Sequence, residues 1–535
     1  MSVTANAEAQ QLARPIATRT YWNIQSVAFL GLWLLLMAGD LSGEPGSPFR
    51  DPGTLWHSVV GQHILSSHSF IYTDPFSCTH AGEPWIARQW LFESAMGLLD
   101  WMSGLDGLLF GMVTLLAGFY AWVAHRFLRA KVHPLLAVLL VVLAMVASSY
   151  HFHMRPHLVT LVLLGWTFAQ LSDFEAGRIS LRSLFWLVPI FIVWSNSHDG
   201  VLGGVATIGL AVGGWGLLKV FGLGGPVSRY LQIGTLAGLV AACALTSLVS
   251  PYGLALPQAW LSLLGSSVLP QFIGEHAPLW TKGIMAWRLL LFAGIYFAAL
   301  AGVFPQRPRV TWLIPIAWFV MAILRVRHGP LFAATAALAL ADMLPHVRWI
   351  HWLARKGSEV CRLRPPDRAG KKQFCPWRPA LIPIVCLLVT ALFQITGVRV
   401  PVVGRGWARL EPRFYPVELI PDIQNYEHSC PSGTPVFNEM LYGGFLIYYS
   451  PGLKVFIDDR CELYGDDGIL EYVDAETDPK KIGAWVQKYR FERALTKNGS
   501  GFDAYFRNAK DWKVIAVTES ATLYGRDDDN GTKKD

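Results

Sequence analysis

The sequence predicts an α-helical polytopic membrane protein of about eleven transmembrane helices, carrying a small α/β domain at its C-terminus on the extracytoplasmic side. Three observations predict it. The 535 residues are 53% hydrophobic with a mean hydropathy of +0.35, and only 16% are charged, where a soluble domain carries about 25%. Apolar runs of roughly 15 to 22 residues, bounded by charge, Pro or Gly, recur through the first 400 positions. The charge is also divided: residues 401–535 hold 17 Lys/Arg against 22 Asp/Glu, so the excess behind the net +7 lies in the apolar part. Disorder and collagen-like repeats are excluded by 22 Trp and 29 Phe, a load that suits aromatic belts at the headgroup layer. A basic excess confined to the membrane part also argues against a nucleic-acid partner.

The eleven runs span about 22–40, 105–124, 134–150, 157–172, 183–197, 200–222, 230–249, 289–304, 311–324, 329–345 and 379–397. Basic residues are retained on the cytoplasmic side during insertion. With residues 1–21 inside, the inner loops collect 20 Lys/Arg, nine of them in the 346–378 segment, against 7 in the outer loops. An odd number of crossings then puts residues 398–526 outside. The first run follows a basic stretch but is too long, and lacks a small-residue cleavage site, for a removable signal, so it reads as an anchor in a bacterial cytoplasmic membrane. The basic 346–378 loop determines topology and meets anionic lipid.

Outside the bundle, the 41–104 loop is too long for a simple connector. Leu55, Trp56, Val59, Val60, Ile64 and Leu65 fall at helical spacing, with Ser58, Gln62 and Ser66 opposite. Trp90, Leu91, Ala95, Leu98, Leu99 and Met102 repeat the pattern, and both are expected to lie flat on the membrane surface. The C-terminal part shows strand-like runs at Pro435–Phe437, Lys454–Ile457, Arg493–Thr496, Trp512–Val517 and Thr522–Tyr524. A helix is expected from Lys480 to Tyr489, with Asp478 as N-cap and Pro479 in the first turn. The polar 527–535 tail is expected to be disordered. Cys430 and Cys461 share the exported domain, and whether they pair is open from spacing alone.

Ionisable side chains at a membrane face border a cavity or pair with one another, because burying them singly is costly. Under the deduced topology, such groups collect at the outer face: Asp40, Glu44, Arg50, Asp51 and His57; Asp74 to His80; His151, His153, Arg155 and His157; His198 and Asp199; and Arg325, Arg327 and His328. Carboxylates accept protons from attacking hydroxyls, and guanidinium forks match phosphate oxygens.

The string Asp51-Pro-Gly-Thr-Leu-Trp-His57, followed by Thr73-Asp74-Pro-Phe-Ser77, Trp85 and Trp90-Leu-Phe-Glu93, resembles the first loop of bacterial GT-C-class membrane glycosyltransferases. These are related to the protein mannosyltransferases of glycosyltransferase family 39 and to the aminoarabinose transferases of lipid A. Arg155-Pro156, Trp194-Ser-Asn-Ser-His-Asp-Gly200, Ser250-Pro-Tyr-Gly253, Glu275 and Arg325-x-Arg327-His328 extend the likeness. So do Val436-Phe-Asn438, Gly443-Gly444 and Phe456-Ile-Asp-Asp-Arg460 through Tyr464, so that it covers most of the chain. The resemblance implies a GT-C-like fold, and an inverting hexosyl or pentosyl transfer from a polyprenyl-phosphate-linked donor to an envelope lipid, glycan or protein. It puts Asp51 at the catalytic acid, with Arg155, Arg325, Arg327 and His328 toward the donor phosphate. Trp56, His57, His153, His198 and Glu275 are expected in the substrate pocket.

One departure stands out. Class members commonly carry two acids adjacent or one residue apart in this loop, whereas Asp51 is followed by Pro52 and Gly53. Glu44, Asp74 and Asp199 are the candidates for the second acid, and its absence from the loop weighs against a divalent metal on the donor phosphate. No Cys-x-x-Cys or His-Glu-x-x-His suggests a metal elsewhere. Simpler alternatives remain open: a turn at Asp51-Pro52-Gly53, hydrogen-bonded histidines at 151, 153 and 157, snorkelling for Arg325 and Arg327, and, for Asp458-Asp459-Arg460 at a strand end, a local ion pair in place of a ligand site. A lipid-linked glycan flippase and a non-catalytic scaffold of GT-C ancestry are the rival functions. The flippase predicts ionisable residues at the midplane and repeated halves, and neither is visible.

Overall fold

The computed structural model describes residues 24–39, 47–266, 268, 271, 274–363 and 380–527. Glu44, Asp40, residues 1–21, much of the 346–378 segment and nearly all of the 527–535 tail lie outside them. In chain order, α1 (Ile24–Ala38) precedes two helices of the long loop, α2 (Gly53–Ser67) and α3 (Trp90–Ser103). There follow α4 (Leu105–Arg129), α5 (Pro134–Ser148), α6 (His157–Glu175), α7 (Leu187–Ser195), α8 (Val201–Val220), α9 (Tyr230–Leu245), α10 (Ala255–Gly265), α11 (Ile284–Val303), α12 (Val310–Leu324), α13 (Gly329–Met343), α14 (Arg348–Arg355) and α15 (Leu381–Thr396).

Each of the eleven apolar runs contains a helix. Five stretches are long and apolar enough to cross a bilayer, namely α4, α5 with its extension to His151, α8, α9 with its extension to Leu248, and α11. A sixth is added if the bent pair Val326–His346 and Arg348–Arg355 is one span. The apolar helices ending at Ala38, Ser195, Leu324 and Thr396 are shorter, since a 15-residue helix reaches only about 23 Å against a hydrocarbon core of about 30 Å. Ala-rich α13 is almost wholly buried and packs against α4, α5, α6, α11 and α12. Its small side chains allow that close approach.

Beyond α15 come α16 (Ile420–Ser429), β1 (Pro435–Asn438), α17 (Met440–Tyr449), β2 (Lys454–Val455), α18 (Cys461–Ala475), α19 (Pro479–Tyr489), β3 (Arg493–Lys497), α20 (Gly501–Asn508), β4 (Trp512–Val517) and β5 (Ala521–Arg526). All five expected strands form, in the order β2-β1-β3-β5-β4. The β1 pairings with β2 and β3 are parallel, and β5 pairs antiparallel with β3 and β4. Asp478 caps α19 as expected, accepting from Lys480 N at 2.9 Å. Cys430 and Cys461 are both free thiols, so no disulfide joins them.

The long loop is built into this domain. Ser77 bridges Val455 in parallel, with Cys78 N donating to Val455 O at 2.9 Å and Val455 N donating to Phe76 O at 3.1 Å. The loop thus covers the β2 edge, a common way of protecting an unpaired strand. The polar side of helix α2 is not wet along its length. Ser58 is fully buried and donates to Asp100 Oδ2 at 2.7 Å, while Tyr448 of α17 donates to Asp100 Oδ1 at 2.7 Å. Its small and polar residues face neighbouring helices because α3 covers one side and α17 another. His57 and Glu93 meet across the α2–α3 contact at 2.7 Å, both buried. Burial pushes the Glu93 carboxyl well up and the His57 imidazole well down.

The α2–α3 approach depends on glycine. A Cβ on Gly61 would stand 1.7 Å from the Glu93 carbonyl oxygen. Gly61→Ala is therefore expected to force the helices apart and destabilise the protein by about 1–3 kcal/mol or more, read as a lowered unfolding temperature in detergent. Unchanged stability would contradict this packing.

Candidate active site

The N-terminal end of α2 carries the site. Asp51 Oδ1 accepts from Gly53 N at 2.8 Å, so the Asp-Pro-Gly segment is indeed a turn. Its other oxygen accepts from Arg155 Nη1 at 2.7 Å, with side-chain exposures of 10% for Asp51 and 28% for Arg155. Arg155 comes from the segment joining α5 to α6, where Pro156 starts the helix. Glu275 Oε1 lies 3.9 Å from Arg155 Nη1 and 3.7 Å from His151 Nδ1. Burial pushes the Glu275 carboxyl up, but Arg155 and Arg327 outweigh it and hold it down at about 2. Arg327 itself meets His276 Nε2 at 2.8 Å.

The acid that completes this group was offered by the sequence only within Asp458-Asp459-Arg460, as either a ligand site or a local ion pair. Asp459, at the end of the segment following β2, accepts from Trp56 Nε1 at 2.7 Å through Oδ1. Its Oδ2 faces Gly53: a Cβ there would be 2.9 Å from Asp459 Oδ2, 3.0 Å from Asp51 Oδ1 and 3.2 Å from Arg155 Nε. Two carboxyl groups and one guanidinium therefore surround a position that only a hydrogen atom fills. Burial, and then the neighbouring Asp51 carboxylate, push Asp459 up to about 7 against the pull of Arg155.

Asp459 is placed by its neighbours. Arg460 is fully buried and donates to Asp458 Oδ1 from Nε at 2.8 Å, to Asp458 Oδ2 from Nη2 at 2.7 Å and to Asp74 Oδ1 from Nη1 at 2.7 Å. Phe76 and Trp85 flank the guanidinium at 5.1 and 4.7 Å. Asp74 also accepts from Phe76 N at 3.0 Å and from Ser77 Oγ at 2.5 Å. The local ion pair considered for Asp458 and Arg460 is present, and it leaves Asp459 aimed at Asp51.

The other candidates are placed as follows. Asp74 is 0% exposed at its side chain and committed to Arg460. Asp199 pairs with Arg88 and accepts from Trp260 Nε1 at 2.9 Å, while Arg88 also reaches Glu462 at 3.0 Å. His57 lies against Trp56 with ring centroids 3.7 Å apart and the planes tilted by 32°, and it faces Glu93. His153 lies 6.1 Å from His151 by ring centroids. His198 shares its Nδ1 with Thr160 Oγ1 at 2.8 Å and Gly200 N at 3.0 Å. His328 lies against Trp318 at 6.0 Å. Arg325 is joined to the Asp51 group by no hydrogen bond or ion pair among the described residues. Asp51, Trp56, Arg155, Glu275 and Arg327 thus come together, with His153 also close enough to Glu275 to help hold its carboxyl down.

Asp51 Oδ1 accepts from Gly53 N and Oδ2 from Arg155 Nη1, so a divalent metal at this carboxylate would compete with Arg155 for it. Among the described residues no group of three or more His, Cys, Asp or Glu side chains is arranged to hold a metal.

Trp56 stabilises the ionised form of Asp459 by donating to it, so Trp56→Phe is expected to move the Asp459 titration upward from about 7. The carboxyl stretch in an infrared pH titration of the full chain reads this directly. A downward or absent shift would contradict the geometry.

No protein-family model matches the sequence, and no curated protein is significantly similar to it. Solved structures are similar in fold. The archaeal oligosaccharyltransferase AglB from Archaeoglobus fulgidus, in complex with an inhibitory peptide and a dolichol-phosphate, superimposes with a TM-score of 0.51 at 12% identity, covering 88% of this chain and 69% of AglB. ArnT from Cupriavidus metallidurans bound to undecaprenyl phosphate gives 0.46 at 13% identity, covering 94% and 97%. The chain is therefore structurally similar to GT-C membrane glycosyltransferases, at low sequence identity.

Proposed function

We propose that the protein is an integral membrane glycosyltransferase, which moves a sugar from a polyprenyl-phosphate carrier to an acceptor in the bacterial envelope on the extracytoplasmic side. The observation that carries this reading is the Asp51–Arg155 ion pair at 2.7 Å, flanked by Glu275 and Asp459. Carboxylates to orient and deprotonate a nucleophile stand beside a partly exposed guanidinium able to receive an anion. The lipid phosphate of AglB has the chemistry that Arg155 and Arg327 would take.

In this reading all eleven apolar helices cross the membrane, the shorter ones with help from their flanking turns, with the N-terminus inside. The bundle's two ends differ as the reaction requires. At the Asp173 end of α6, Arg126 and Arg178 hold Asp173 at 2.7 and 2.5 Å, and Asp342 accepts from Trp312 Nε1 at 2.9 Å. That end is a closed staple of ion pairs. At the His157 end the same helix meets the Asp51 group.

The transfer is a displacement at the anomeric carbon. The acceptor hydroxyl or amine forms the new bond while the bond to the carrier phosphate breaks, and the electron pair leaves with the phosphate oxygen. Attack opposite the leaving group inverts the centre. Asp51 orients the nucleophile, and Arg155 and Arg327 offset the charge growing on the phosphate, an effect worth several kcal/mol at a dry, preorganised site.

Asp51→Asn is expected to insert normally and to lose transfer by about 10²- to 10⁴-fold. The measurement is release of radiolabelled sugar from undecaprenyl-phosphate-linked hexoses and pentoses onto envelope extract by the purified chain. Full activity of the variant would refute the assignment. Movement of intact carrier across vesicles without transfer would replace the enzyme with a flippase.

A further inference from the structure

Both oxygens of Asp51 already accept hydrogen bonds, Oδ1 from Gly53 N–H and Oδ2 from Arg155. Asp459 differs: Oδ1 is held by Trp56, whereas Oδ2 points at the Gly53 gap and accepts no hydrogen bond among the described residues. The two acids come from opposite sides, one from the long loop and one from the C-terminal domain.

We infer that Asp459 Oδ2 is the atom that takes the proton from the acceptor nucleophile, while Asp51, whose two oxygens are already held by Gly53 N–H and Arg155, orients it. The inference rests on the glycosyl-transfer reading. As the acceptor's O–H or N–H bond breaks, its proton passes to Asp459. The acceptor's electron pair forms the bond to the anomeric carbon, and the carrier phosphate leaves with the electrons of the broken C–O bond. Asp459 then returns its proton to water, so the cycle needs no co-reactant.

The groups facing Asp459 are Asp51 from the loop, Arg155 from the α5–α6 segment, Asp458 on its own segment, Cys461 at the start of α18 and Tyr415 before α16. Two of the charges are carboxylates and one is a guanidinium, and burial adds to the carboxylates. Titration near 7 is the range in which a general base is effective at neutral pH. The sign is fixed: Asp459 accepts protons only when ionised, so transfer rises as pH increases through about 7.

The test uses the full chain in nanodiscs. Infrared difference spectra between about pH 6 and pH 8 are expected to show loss of protonated-carboxyl absorption with two components, one removed by Asp459→Asn and one left from Glu439, which burial also pushes up to about 7. In Asp51→Asn the Asp459 component is expected to titrate lower by roughly one pH unit, because a neighbouring negative charge is gone. In the transfer assay with undecaprenyl-phosphate-linked sugars, Asp459→Asn is expected to lose about 10²- to 10⁴-fold and its rising limb, while Asp459→Glu, which folds around the same acid, keeps the limb. Wild-type transfer with an unchanged limb in Asp459→Asn, or a protonated-carboxyl band undiminished by that substitution, overturns the Asp459 assignment and leaves the glycosyl-transfer reading standing. Failure of the wild type to transfer from any of these donors, with the band behaving as expected, overturns the functional reading instead.

Discussion

The buried guanidinium of Arg460, shared between Asp458 on its own segment and Asp74 on the long loop, is the constraint on which the site depends. All three side chains are sealed from solvent. An ion shared in this way is costly to bury and still more costly to leave unpaired. Loop and C-terminal domain therefore have one relative arrangement that satisfies both carboxylates, and in that arrangement Asp459 faces Asp51.

The surrounding contacts support the same placement. Ser77 continues the sheet past β2, Arg50 reaches Glu411 at 2.9 Å, and a Cβ on Gly444 would be 2.2 Å from the Pro52 carbonyl oxygen. The approach of α17 to the turn that carries Asp51 therefore tolerates no side chain there. A site assembled in this way is rigid at the carboxyl pair and open at Arg155, which suits fixed acid chemistry beside an exchangeable anion.

Much of the fold was legible because it obeys local rules. Apolar run length located the helices, alternation and turn residues located the five strands, and Asp478-Pro479 marked the start of α19. The two loop helices were also legible, but the partners of α2's polar side were not. Ser58 and Gln62 read as a wet face, yet both serve Asp100 in the interior, and polarity alone does not distinguish water from a buried partner. At the site, the family-like strings led to Asp51, Arg155 and Glu275. Asp459 was legible only as one of two adjacent acids in a ligand site or a local ion pair, because the residues it meets are about four hundred positions away and no spacing rule spans that distance. Asp74 was read as a second acid for the same reason: its true partner, Arg460, lies 386 positions along the chain. Two adjacent acids before a buried arginine at a strand end were the visible signal, and only the tertiary arrangement separates their roles.

The central claim is that Asp74 and Arg460 are directly coupled and thereby hold the two acids together. A double-mutant cycle on the full chain, with Asp74→Asn, Arg460→Met and the double variant compared by unfolding in mild detergent, tests it most directly. The account predicts a coupling of about 1.5 kcal/mol or more, as found for close charge pairs. Additive effects, with a coupling near zero, would contradict it.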